Sequence, residues 1–257
     1  MIVSWSAMLI TVIVVGFVTS ALRIWIDRVF FVIMMLSFGH LPISQAIPLN
    51  ILVLFLAVVS HGLIRREGWL WGAFARFPSW EGWAALLSGL LGGVLGRYLG
   101  FQTPGKVLLL LLGIYAIAMA LRLVLVKPAD GRAAPEHPGW ILPISLGAGV
   151  LTGLISAGGK PFAIPLFNKA LGHKMPLAYA IATFGTIGAV VGAILTHLFV
   201  KGYSSAEVET ALAAWAGISL FAWLTDHFWS PKLMKITALI VALVLFLVGV
   251  KFSIAAL

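Results

Sequence analysis

The sequence predicts an all-α integral membrane protein made of two inverted repeats, each a re-entrant helical hairpin plus three transmembrane helices. Three observations carry that prediction. The 257 residues are 61% hydrophobic and 10% charged, with a mean hydropathy of +1.10, whereas a soluble domain carries about a quarter charged residues. Long apolar segments follow one another with only short polar breaks between them. The first half also lies over the second through matching glycine, proline and helix-cap positions.

The apolar segments fall near 6–22, 43–61, 82–99, 104–126, 141–156, 176–200, 207–225 and 231–253, and most reach the roughly 20 residues that a spanning helix needs. The stretch 1–20 is apolar but has neither a basic leading region nor a clear small-residue cleavage site, so it reads as a retained first helix rather than a signal peptide. Two shorter segments, 29–39 and 162–172, each cover roughly 16 Å at the helical rise of about 1.5 Å per residue, half the hydrocarbon core. They read as half-helices that turn back.

The repeat is visible when GFVTSALRIWIDRVFFVIMMLSFGH (16–40) is set over GVLTGLISAGGKPFAIPLFNKALGH (149–173): Gly16 meets Gly149, Thr19 meets Thr152, and Gly39-His40 meets Gly172-His173. After one inserted residue PISQAI (42–47) meets PLAYAI (176–181). Thr103-Pro104 and Ser230-Pro231 each announce a last helix, an N-cap residue followed by proline in the first turn. The expected division is a first repeat at 1–127, a connecting loop at 128–140 and a second repeat at 141–257.

Basic residues set the orientation. With hairpins, ten Lys and Arg fall on one side and four on the other, leaving Arg23, Arg28 and Lys160 inside the hairpins; with single spans the division is eight to six. The hairpin reading obeys the positive-inside rule better. It gives each half an odd number of crossings, so the halves are inverted, with the N-terminus outside. Two full crossings have the same parity as a hairpin; the shortness of the second arm favours the hairpin. The expected location is the inner (cytoplasmic) cell membrane, multi-pass.

The formal charge of +9 comes from residues scattered through short loops, so it does not mark a nucleic-acid partner. Cysteine is absent, excluding disulfides and thiolate metal sites. The six histidines show no metal-ligand spacing: His40 and His173 are expected at the interface, and His61, His197 and His227 at helix ends. Trp5, Trp69, Trp71, Trp80, Trp83, Trp140 and Trp229 read as aromatic belts.

Within 149–167, GVLTGLISAGGKPFAIPLF, two glycines, a lysine and a proline interrupt an apolar run. The stretch Ser156-Ala157-Gly158-Gly159-Lys160-Pro161-Phe162-Ala163-Ile164-Pro165 resembles the glycine-rich hairpin of the TauE/SafE sulfite exporter family, roughly G-x-G-G-G-F-x-x-V-P. PLAYAIATFGTIGAVVGAILTH (176–197) is similar to that family's P-x-x-A-x-x-T-S helix. Ser156 and Lys160 depart from the pattern, and Arg23-Ile24-Trp25-Ile26-Asp27-Arg28 stands where a second glycine-rich hairpin would be. The resemblance implies a transporter of sulfite or an organosulfonate.

The residues themselves argue for an anion site. A lysine deep in hydrocarbon costs ~2.5 to 3.5 kcal/mol on insertion scales, so it persists where it faces a wet cavity or a partner, or where it snorkels to an interface. Gly158 and Gly159 permit a non-helical turn, Pro161 suits a first helical turn, and the turn offers N–H groups beside the Lys160 ammonium. In the other half Arg23 and Arg28 occupy the matching turn; Asp27 can pair with Arg23 and is the candidate for coupling. Asn50, Gln45 and Thr183, on the helices after the hairpins, are expected to meet substrate together with Ser156, and Thr186 to serve helix packing.

The expected function is a secondary transporter, in the export direction, of a small sulfur-containing oxyanion. An anion channel and a carrier of small carboxylates are the alternatives. The spans hold no Ser-His-Asp set, no paired carboxylates and no HExxH motif, and the chain has no Walker-type motif, so neither an enzyme nor a cofactor or metal is expected. The expected partners are a small anion and the bilayer, with homodimer formation left open.

Overall fold

The structure, a computed structural model, describes residues 3–22, 29–64, 80–126 and 137–257, and of 61–64 the backbone alone. In order it contains α1 (Trp5–Leu22), α2 (Val29–Ser37), α3 (Ile43–Ile64), α4 (Trp80–Gln102) and α5 (Gly105–Leu125). There follow α6 (Ile141–Ile155), opened by a 3-10 turn at Pro138–Trp140, and α7 (Lys160–Pro165), which runs into a π turn at Leu166–Ala170. The chain ends with α8 (Met175–Val200), α9 (Ser205–Thr225) and α10 (Pro231–Ala256). No strand occurs among the described residues, and eight helices there are long and apolar enough to cross a membrane. The chain is a multi-pass, all-helical membrane protein.

Local chemistry sets the boundaries. Ser204 and Glu207 form a reciprocal cap at the start of α9: the Glu207 N–H donates to Ser204 Oγ at 3.3 Å, and the Ser204 N–H to Glu207 Oε2 at 2.8 Å. Ser204→Ala is expected to cost about 1 kcal/mol, read as a lower melting temperature in detergent. Ser230 caps α10 as its sequence announces, accepting from the Leu233 N–H at 3.3 Å. Thr103 differs from expectation. Its hydroxyl donates back to Leu99 O at 2.8 Å and closes α4, while Pro104 opens α5 with no side-chain cap. Pro165 brings no N–H to its turn, and the π geometry at Leu166–Ala170 follows directly after it.

Lipid supplies no hydrophobic drive between helices, so association rests on close backbone approach at small residues. Helix α4 is the centre of such a seam. A Cβ at Gly89 or Gly93 would lie 2.1 or 2.0 Å from the carbonyl oxygens of Gly185 and Ala189 on α8, and at Gly92 or Gly96 2.3 or 2.2 Å from those of Leu146 and Val150 on α6. Residue numbers rise together along these contacts, so α4, α6 and α8 run parallel. Gly16 against Ile218 and Phe221, with Gly217 against Val12, makes α1 parallel to α9. Gly113 and Ile117 both meet Gly249, and Gly113 meets Ser253, so α5 and α10 are antiparallel.

The outer faces are greasy, as a bilayer requires: Leu239, Leu243 and Leu247 of α10 are all exposed. Trp5, Trp80, Trp83 and Trp140 are exposed at helix starts, in keeping with belts, while Trp69 and Trp71 lie outside the described residues. Trp229 is half-buried instead. It donates to Ser20 Oγ at 2.9 Å and meets Phe17 edge-on, tying the ends of α1 and α9 together. Five of the basic residues used for orientation, Arg65, Arg66, Arg76, Lys127 and Arg132, also lie outside the described residues.

Candidate functional site

Helix α6 stops at Ser156, whose backbone adopts φ 53°, ψ 25°, a left-handed conformation that normally asks for glycine. The left-handed residue is therefore not in the glycine pair. Gly159 has an ordinary φ of −69°, and its need is steric, because a Cβ there would sit 2.3 Å from the Cα and Cβ of Ala148.

These contacts fix the depth of the loop. Leu154, near the end of α6, lies against Gly100, two residues from the C-terminus of α4. Gly159 has already dropped back to Ala148, and the neighbouring Leu146, Gly149 and Val150 pack on Gly92, beside the midpoint of the 23-residue α4. Lys160 thus begins α7 near the middle of the span, only 2% exposed. Its Nζ lies 3.5 Å from the centroid of the Tyr179 ring on α8, a π face that partly offsets the cost of a desolvated cation.

Three helices brace the loop. From α3, Asn50 Nδ2 donates to Ser156 O at 2.8 Å and Ser156 Oγ at 3.1 Å. From α5, the Tyr115 hydroxyl donates to Gly158 O at 2.7 Å, and its ring packs edge-on to Phe162. From α6, Thr152 Oγ1 accepts the Gly159 N–H at 3.2 Å while its own hydroxyl donates to Ala148 O. The Asn50 amide orientation follows from its partner, since a carbonyl can only accept. Asn50 Oδ1 is left buried with no hydrogen-bond partner among the described residues. Tyr115→Phe keeps the ring and removes one buried hydrogen bond, so thermal unfolding should report a loss of about 1 kcal/mol.

Of the sequence candidates, Ser156, Gly158, Gly159, Lys160 and Asn50 come together in one buried cluster. Thr183 is buried one turn after Tyr179, its hydroxyl donating to Tyr179 O at 2.8 Å. Thr186 likewise donates within its helix, to Ala182 O. Gln45 is exposed in the first turn of α3 and does not join the cluster. Arg23, Asp27 and Arg28 lie outside the described residues. Sequence reasoning missed Tyr115, Tyr179 and Thr152. Tyr179 stood inside the repeat motif PLAYAI one turn before Thr183; Tyr115, in the middle of an apolar run, gave no local signal.

His173 also departs from its expected place at the interface. It is buried, with Nδ1 3.2 Å from Phe167 O and Nε2 3.6 Å from Glu81 Oε1 in the first turn of α4. This pair fastens the end of the hairpin to α4. No group of three metal-capable side chains occurs among the described residues.

A family model described as sulfite exporter TauE/SafE matches residues 8–252. The chain belongs to the TauE/SafE family. No curated protein and no solved structure matches it. As a TauE/SafE member it is a membrane transporter, and its broken helix places the Lys160 cation at mid-depth, at the first residue of α7 and beside the braced loop. A groove of about 310 Å³ in this TauE/SafE chain is lined by both arms of the hairpin, among them Trp140, Ile144 and Ala148 on one side and Gly159, Phe162 and Leu166 on the other.

Proposed function

We propose that this chain is a secondary transporter that exports a small sulfur-containing oxyanion, sulfite or an organosulfonate, across the inner (cytoplasmic) cell membrane. The observation that carries the reading is the buried Lys160 at the start of α7. An ammonium held at mid-depth is the group that gains most from an arriving oxyanion, because a charge-assisted hydrogen bond replaces the hydration it has lost. The family description supplies the sulfur chemistry.

Movement follows from two inverted halves, 1–127 and 141–257, joined by 128–140 and rocking about the two hairpin tips. Helix contacts support this exchange: α4 packs on α6 as α9 packs on α1, α4 on α8 as α9 on α3, and α2 on α3 as α7 on α8. The antiparallel pair α5 and α10 and the pair α3 and α8 each join one half to the other. In this scheme Arg23 and Arg28 meet the anion from the first tip, and Asp27 carries the coupling. Thr183 of α8 turns its hydroxyl proton from Tyr179 O to the anion.

The burial of Lys160 favours a carrier over a channel, since the anion reaches the lysine only after the halves move. Proteoliposomes loaded with unlabelled sulfite should take up labelled sulfite faster than empty ones, with saturation. Flux that rises linearly with concentration and ignores the internal load would identify a channel. Equal competition by small carboxylates would remove the sulfur selectivity.

A further inference from the structure

The C-terminal ends of α4 and α8 hold a second cluster that the loop does not use. Arg97 is 3% exposed, and lies six residues, roughly 9 Å at the helical rise, beyond the middle of α4. Its Nε and Nη2 both point at Nδ1 of His197, at 3.2 and 2.8 Å. A guanidinium can only donate, so Nδ1 accepts and the imidazole proton sits on Nε2. The Arg97 carbon stacks 4.4 Å from the Phe101 ring centroid, and Lys201 Nζ lies 5.3 Å from the same ring. Tyr203 packs on His197 with ring centroids 4.4 Å apart. Its hydroxyl is buried without a hydrogen-bond partner among the described residues, and burial pushes the phenol up, so the O–H stays a donor.

The arithmetic of donors and acceptors is one-sided. Arg97 has further N–H groups, His197 has Nε2–H, Tyr203 has O–H and Lys201 has an ammonium, while the acceptor at His197 Nδ1 is already taken. Glu207, the acid facing this cluster, has Oε2 committed to the Ser204 N–H and O–H, and no described carboxylate pairs with Arg97. Partial negative charge at the helix ends and the Phe101 face help to hold the cations. The Tyr203 O–H stays a buried donor without a partner among the described residues, beside the exposed Lys201 ammonium. A buried guanidinium with no carboxylate paired to it is costly unless a counter-ion completes it.

We propose that Arg97, His197, Lys201 and Tyr203 form a second oxyanion site, outside the loop and toward the ends of α4 and α8, filled by a free small oxyanion or by the phosphate of an anionic lipid headgroup. The guanidinium fork suits paired oxygens, and the phenol and ammonium complete the shell. The site stands whether or not Lys160 binds substrate.

The test is the melting temperature of the purified full chain during titration with sulfate and with inorganic phosphate at constant ionic strength. The wild type should be stabilised with saturation. Lys201→Gln combined with Tyr203→Phe, changes at the membrane edge, should raise the half-maximal concentration about tenfold, and Arg97→Gln should abolish the response; Lys160→Ala should retain it. A short-chain phosphatidylglycerol compared with the matching phosphatidylcholine separates the sources. A response to the anionic lipid alone, lost in the same variants, assigns the site to a headgroup. A response in the double variant equal to wild type, or no saturable response to any of these anions, overturns the proposal.

Discussion

Replacing Lys160 by alanine is expected to leave a folded protein whose response to sulfite at the loop is much weaker, while any response of the Arg97 cluster is retained. A ligand at a hundred times its dissociation constant stabilises by about 2.7 kcal/mol, and removing the charge that receives it should weaken binding by about ten- to a hundredfold. The loop's share of the stabilisation then falls to about 1.4 kcal/mol for a tenfold loss and about 0.4 kcal/mol for a hundredfold loss at the same concentration. Without ligand two effects compete. The variant loses a cation–π contact of roughly 0.5 to 2 kcal/mol with Tyr179 but also relieves the burial of a charge, worth several kcal/mol in its own right. The losses and the relief oppose one another, so the apo protein should melt within a few degrees of the wild-type temperature. Melting curves with and without sulfite separate the two effects, and a variant that collapses without ligand would make Lys160 a structural residue.

Gly93→Ala should have the largest effect on stability. A Cβ at Gly93 would lie 2.0 Å from Ala189 O and 2.7 Å from its carbonyl carbon. Relief on the other side is closed as well, since the Gly153 of α6 already approaches Gly93 O so closely that a Cβ there would sit at 2.4 Å. The obstacles are backbone atoms on two helices, so no rotamer change relieves the clash and the helices themselves must part. Overpacking in cores commonly costs 1–3 kcal/mol; here the cost should reach about 3 kcal/mol or more, because separation forfeits close contact along the whole seam. Gly147→Ala is the control. It lies on α6 with nothing within 4 Å of its added Cβ, and alanine there should stabilise slightly through helix propensity. Equal melting temperatures for the two variants would refute the seam.

The helices were legible because hydropathy and caps are local. The segment expected at 6–22 forms Trp5–Leu22, and that expected at 231–253 forms Pro231–Ala256, opened by the Ser230 cap. The broken loop was legible for the same reason, since glycine, lysine and proline inside an apolar run have few structural uses. Its support was not. Asn50 and Ser156 are 106 residues apart, and Tyr115 and Gly158 are 43 apart; nothing local announces that a tyrosine in a greasy helix ends on a carbonyl of another. The seam lay between these cases, for glycines 89, 92, 93 and 96, then 185, 188 and 192, repeat at helical spacing and mark a face, though not which helix it meets. The left-handed residue is Ser156 rather than either member of the glycine pair, and Asn50 holds both its carbonyl and its hydroxyl from 106 residues away, which no local pattern announces.

Selenite, the selenium analogue of sulfite, would locate the substrate directly by its anomalous signal in crystals of the wild-type protein. The prediction is a peak beside the loop with an oxyanion oxygen within about 3 Å of Lys160 Nζ, lost in crystals of Lys160→Ala. Strong peaks confined to other parts of the molecule, with none at Lys160, would contradict the claim that this lysine receives the transported anion.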